Sequence, residues 1–204
     1  MKILGLTGPS GSGKTLFSEI LIKKGFPCIN ADELYHSMLI PPSRVLDAIR
    51  ENFGDSFFLS NGELDRKKLG AHVFSNHDQL KLLNSTVLPL VKQRIEEIAI
   101  EHKNSGALLL IIDAPTLFEA GYDENCDITV SVIAPQDERI NRISLRDNIS
   151  KEAATLRIKA QQPDSFYIEK SDKTIFNDGD RSTFEKKAYE LLFELGIADA
   201  EDKI

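Results

Sequence analysis

One stretch constrains this chain more than any other: Gly5-Leu6-Thr7-Gly8-Pro9-Ser10-Gly11-Ser12-Gly13-Lys14-Thr15. Eight of its residues are Gly, Ser or Thr, yet it follows directly on the apolar pair Ile3-Leu4. Glycine loses more backbone freedom on folding than any other residue, so a cluster of it needs a compensating use. The spacing Gly8-x-x-x-x-Gly13-Lys14-Thr15 supplies one. A loop with few Cβ atoms brings backbone N–H groups up to an anion, the Lys reaches the β- and γ-phosphates, and the Thr hydroxyl ligates Mg²⁺. The run from Leu16 to Lys24 reads as a helix, whose N-terminus adds partial positive charge at the same place. The agreement of strand, loop and helix separates this motif from an ordinary glycine-rich turn. The loop is expected to hold a nucleoside triphosphate.

Short apolar runs at 3–7, 27–31, 108–113, 128–133 and 173–176 read as strands, with helical patterns between or after most of them. This alternation predicts an α/β fold, a parallel sheet covered by helices on both faces. The clearest helical stripe is Phe184, Ala188, Leu191, Leu192 and Leu195, which is expected to pack on the sheet. The stretch from Asp32 to Leu108 is too long for a simple crossover and predicts an inserted helical domain. Within it Val91, Ile95 and Ile98 recur at helical spacing just after Pro89, a favourable first-turn residue, which places a helix start at Pro89. A second excursion at 135–166 is rich in Arg and Gln. An insertion and a basic flap beside a nucleotide site are what a small-molecule kinase needs to hold an acceptor and exclude water. The expected organisation is a core of 1–34, 105–137 and 165–204, an acceptor domain at 35–104 and a lid at 138–164.

Three sets of residues are candidates for the chemistry. Asp32 ends the second strand run, on the edge of an open α/β sheet where ligands collect. It is read either as a base for an attacking hydroxyl or as the N-cap of the next helix. Asp113 closes Leu108-Leu109-Leu110-Ile111-Ile112 and reads either as a Mg²⁺-holding acid, through a water, or as a cap or turn former. Arg139, Arg142 and Arg146 share one helical face. They suit a lid that neutralises charge on transferring oxygens, or a solvated helix pairing with Asp137, Glu138 and Asp147. No guanine-reading Asn-Lys-x-Asp follows, and Asp113-Ala-Pro-Thr116 lacks a switch glycine, which argues against a GTPase.

Bulk composition narrows the partners. A net charge of −7 over 204 residues speaks against a nucleic-acid partner. The longest apolar run, Ala107 to Ile112, is far short of a membrane span, and the N-terminus carries no secretory pattern. Cys28 and Cys126 are far apart and His36, His72, His77 and His102 are scattered, so no zinc spacing exists. Small-molecule substrates, a reducing cytoplasm, and a monomer or weak homo-oligomer are the expectations.

Taken in order, the motifs resemble the dephospho-coenzyme A kinase family along nearly the whole chain. The glycine loop is followed by Ile29-Asn30-Ala31-Asp32-Glu33-Leu34-Tyr35-His36 and Phe53-Gly54, then Gly62 to Leu69 (GELDRKKL) and Val73-Phe74. Asp113 to Gly121 (DAPTLFEAG), Arg139 to Asp147 (RINRISLRD), Arg157 to Gln161 (RIKAQ) and Ser171 to Gly179 (SDKTIFNDG) complete the set. The resemblance implies a P-loop NTPase-type core, an inserted helical substrate domain, a lid, and transfer of the ATP γ-phosphate to the ribose 3′-hydroxyl of dephospho-CoA. By match, Asp32 is the base, with Lys14 and Arg142 also in the catalytic set. Pro9, Ser10, Gly11, Ser12, Gly13, Lys14, Thr15 and Leu16 hold phosphates and, through Thr15, Mg²⁺. Arg142 and Arg146 are the lid arginines, and Asn177 lies near the adenine. Three positions depart from the family pattern: Asn30 replaces the first acid of Asp-Ala-Asp, Leu88 replaces the His of His-Pro, and Asn84 replaces an acid. They bear on acceptor affinity more than on reaction type. A kinase of another small hydroxyl or nucleotide, and a regulatory NTP-binding switch, are the rival readings.

Overall fold

The computed structural model describes residues 1–197. Five strands, β1 (Lys2–Thr7), β2 (Cys28–Asn30), β3 (Leu109–Asp113), β4 (Ile128–Ile133) and β5 (Lys173–Phe176), form a sheet in the order β2-β3-β1-β4-β5. β1 runs parallel to both neighbours, with Leu6 opposite Asp113 on β3 and Thr7 opposite Ser131 on β4, and β5 continues parallel to β4. The expected strands are all present, their ends shifted by at most one residue. Leu109 to Ile112 are fully buried, the signature of a strand covered on both faces.

Helices α1 (Lys14–Lys23), α2 (Ala31–Ser37), α3 (Arg44–Phe53), α4 (Arg66–Phe74), α5 (His77–Asn104), α6 (Gln136–Asp147), α7 (Lys151–Lys159), α8 (Asp164–Lys170) and α9 (Arg181–Glu194) complete the described chain. Leu4, Leu6, Val130 and Val132 of the sheet share one core with Phe17 and Leu21 of α1 and Phe184, Ala188 and Leu191 of α9. Thus the helical stripe predicted near the C-terminus packs as expected, with Leu195 against the same core. The range predicted for the core extends to 204, and 198–204 lie outside the described residues. Burial pushes the Cys126 thiol up to about 12, which keeps it protonated and unreactive at neutral pH.

The chain divides into two compact units, Met1–Ile29 with the segment from His102 onward, and Asn30–Glu101. The second unit is helical and well capped. Asn30 Oδ1 accepts from Asp32 N and Glu33 N, both at 3.1 Å, and Asp65 Oδ1 accepts from Lys68 N at 2.9 Å. Pro89 does not start a helix there: α5 runs through it, because Val87, Val91, Ile95 and Ala99 bury one continuous stripe on both sides of the proline. That apolar stripe outweighs the backbone hydrogen bond a helical proline forfeits.

Candidate active site

The glycine loop leaves β1, the strand flanked on one side by β3 and on the other by β4. At such a switch point an open α/β sheet has a crevice outside its strand ends, and ligands bind there. Ser12 N donates back to Pro9 O at 3.2 Å, closing the loop on itself before α1 begins. Gly13 stands at the head of α1 with φ 102°, no side chain caps that end, and its first turn carries no acid. The leading N–H groups of α1 are therefore left for an anion, in a positive field that no carboxylate of that turn cancels.

A cleft of about 300 Å³ opens over the loop. It is lined by Gly8 through Thr15, Pro115, Arg142 and Arg146. Lys14 Nζ pairs with the buried carboxylate of Asp113, which is 4% exposed at the end of β3. A lysine in this position holds a charge ready at the cleft while its partner satisfies it. Ser12 Oγ is buried without a hydrogen-bond partner among the described residues. An unpaired buried hydroxyl costs about 1–3 kcal/mol, which a ligand's oxygen reaching it would relieve.

The three arginines of α6 do not act alike. Arg139 is 2% exposed and is spent on protein groups, donating to Ser10 O at 3.0 Å and Asp164 Oδ1 at 2.7 Å. Arg142 Nη1 reaches Gly11 O at 3.2 Å, with Glu138 3.7 Å from its other arm. Arg146 grips Asp147 through Nε at 2.7 Å and Nη2 at 2.9 Å, and Arg157 pairs with the same carboxylate. The Arg146 bond holds the Asp147 carboxyl below the usual carboxylate range. Helices α6 and α7 pack through Ile143, Ala154 and Ile158, so Arg142 and Arg146 ride on a shared apolar base.

Other predicted site residues fall as follows. Pro9, Ser10, Gly11, Ser12, Gly13, Lys14 and Thr15 all line the cleft, whereas Leu16 packs partly buried against the sheet core. Asn177 is buried after β5, with its amide on Ser12 O at 2.8 Å. Asp32 is exposed in the first turn of α2 and is not the cap of that helix, because Asn30 is. Sequence reasoning missed the anchoring role of Arg139 and of Gln161, whose side chain holds Ser10. Ser10, which both of them hold, stands more than a hundred residues from either in the chain, beyond any local spacing.

Sheet order, glycine loop and cationic cleft together define a P-loop kinase, with ATP as the phosphoryl donor that class uses. The dephospho-CoA kinase family model matches residues 2–183. The chain is 33% identical over 193 residues to the dephospho-CoA kinase of Enterococcus faecalis, covering 95% of this chain and 96% of that one. The dephospho-CoA kinase structure from Campylobacter jejuni superposes with a TM-score of 0.70 at 27% identity, covering 95% of this chain and 96% of that one. TT1252 from Thermus thermophilus superposes at 0.78 with 29% identity, covering 95% and 97%. This chain belongs to the dephospho-CoA kinase family. No helix among the described residues is long and apolar enough to cross a membrane.

Proposed function

We propose that the chain transfers the γ-phosphoryl group of ATP to the ribose 3′-hydroxyl of dephospho-CoA, giving coenzyme A and ADP. The observation that carries this reading is the convergence of the loop, Lys14, Arg142 and Arg146 on one cleft in a chain of this family. In the transfer, the bond from phosphorus to the ADP oxygen breaks and a bond to the ribose oxygen forms. The hydroxyl proton passes to Asp32. Loop N–H groups and the head of α1 cradle the phosphates, and Lys14 turns from Asp113 to the β- and γ-oxygens. Arg142 and Arg146 neutralise the charge that spreads over the transferring oxygens.

Thr15 and Asp113 offer hard oxygen donors of the kind Mg²⁺ takes, and they are the residues that would hold it. When bound, the ion would neutralise charge on the phosphate oxygens. The unit 30–101 takes the acceptor; its own cleft of about 320 Å³, lined in part by Ser37, Arg44, Gln93 and Arg94, is the candidate pocket. Its long helix carries the Asn84 and Leu88 departures, which bear on acceptor affinity more than on reaction type. A cytoplasmic monomer or weak homo-oligomer, free of nucleic acid and membrane, completes the reading.

An acceptor panel tests it. With labelled γ-phosphate ATP, label is expected in dephospho-CoA and at background in adenosine, AMP and a sugar acid. Faster labelling of any other acceptor would overturn the assignment while leaving a P-loop kinase.

A further inference from the structure

Peptide units are planar and trans, so a carbonyl that points one way sends the next residue's N–H the other way. The carbonyls of Ser10 and Ser12 both end on buried donors. Arg139 Nε donates to Ser10 O at 3.0 Å and Asn177 Nδ2 to Ser12 O at 2.8 Å. Arg139 is 2% exposed and Asn177 5%, so each carbonyl is held at its shortest contact from the buried side, with the cleft-lining Arg142 a longer second donor to Ser12 O at 3.4 Å. The N–H groups of Gly11 and Gly13 are thereby turned the opposite way, away from those donors. Ser10 is gripped at every polar group: Gln161 Oε1 accepts its N–H at 3.1 Å and Gln161 Nε2 donates to its hydroxyl at 2.6 Å. Arg139 is itself fixed by Asp164 Oδ1 at 2.7 Å.

A second observation points the same way. A Cβ on Gly13 would lie 2.2 Å from Asn177 Nδ2, and one on Gly11 would lie 2.9 Å from Arg139 O and 3.0 Å from Arg139 Cα. Both glycines also sit at positive φ, Gly11 at 78° and Gly13 at 102°. Two glycines of the loop are thus required by the same two residues that hold its carbonyls.

We propose that Arg139 and Asn177 are positioning residues of the nucleotide loop, touching its carbonyls rather than the nucleotide and aiming the Gly11 and Gly13 N–H groups at the phosphates. This rests on reading the loop as the ATP site. The loop is then preformed before ATP arrives, so binding does not have to spend energy ordering it. Arg142 also reaches loop carbonyls, Gly11 O at 3.2 Å and Ser12 O at 3.4 Å, but it does so from the cleft lining, whereas Arg139 is buried and outside that lining.

The test is calorimetric titration with MgADP, together with steady-state kinetics, on wild type, Asn177→Leu and Arg139→Lys. Leucine keeps the bulk of Asn177 and removes its donor. Lysine keeps the cation facing Asp164 and loses the planar fork that reaches Ser10 O. In both variants the MgADP Kd and the KM for ATP should rise about tenfold to a hundredfold, as expected when a buried carbonyl loses its partner. The KM for dephospho-CoA should stay unchanged. A merely structural role would instead lower Tm and leave Kd and both KM values at wild-type levels well below the melting range, overturning the proposal. Wild type alone supplies an arm that needs no variant. Single sharp amide resonances for Gly11 and Gly13 in the nucleotide-free protein, shifting on MgADP addition, support a preformed loop; exchange-broadened ones overturn it. Failure of wild type to bind MgADP would instead overturn the ATP-site reading itself.

Discussion

Lys14→Ala should lower kcat/KM by about 10²-fold or more, the scale of losing a group that meets charge developing in the transition state. The structure adds a second effect. Lys14 and Asp113 form a pair whose side chains are 15% and 5% exposed, so truncating the lysine strands a buried carboxylate. Breaking such a pair costs on the order of 3–5 kcal/mol, and a lower Tm should accompany the lost activity. The two effects separate in the double variant Lys14→Ala/Asp113→Ala, which should regain much of the stability and none of the turnover. Near-normal turnover of the single variant, with its circular dichroism intact, would sink the assignment of the loop.

Asp32→Asn is expected to lower the rate of dephospho-CoA phosphorylation by roughly 10² to 10⁴, the usual contribution of a positioned acid or base. Tm and MgADP affinity should hardly move. Asn30 Oδ1 already accepts the Asp32 and Glu33 N–H groups, and the Asp32 side chain is exposed in the first helical turn. A folding role for Asp32 is therefore reduced to a small charge–dipole term. Repeating the assay across a Mg²⁺ titration distinguishes a base from a metal ligand, because only loss of a ligand is rescued by more metal. Normal turnover at ordinary Mg²⁺ would remove Asp32 from the chemistry and turn attention to Asp113.

The parts of this site that sequence exposes are the local ones. Glycine spacing, the apolar run before it and the helix after it are written within residues 3–24, and strands such as 109–113 announce themselves by unbroken apolar content. The arginine row on α6 was equally legible as a row. What spacing does not encode is which way each arginine faces a partner far along the chain. Arg139 and Arg142 are three residues apart on α6, yet Arg139 is buried against Ser10 and Asp164 while Arg142 lines the cleft. Asn177 lies 165 residues from the carbonyl it holds, and only the parallel pairing of β4 and β5 brings it there. Pro89 misled because a proline marks a helix start only where no apolar stripe continues past it, and on α5 the stripe continues. Asn30, a departure from the family's acid, proves to be an N-cap, a role Asn fills as well as Asp.

The position of the new phosphate decides whether the chain phosphorylates the ribose 3′-hydroxyl. Dephospho-CoA incubated with the protein, ATP and Mg²⁺ can be followed by proton–phosphorus correlation NMR. The transferred phosphorus is expected to couple to the ribose H3′ proton, with ADP formed in step with that signal. Phosphate on any other oxygen of the acceptor, or ADP released with no phosphorylated acceptor, would contradict it.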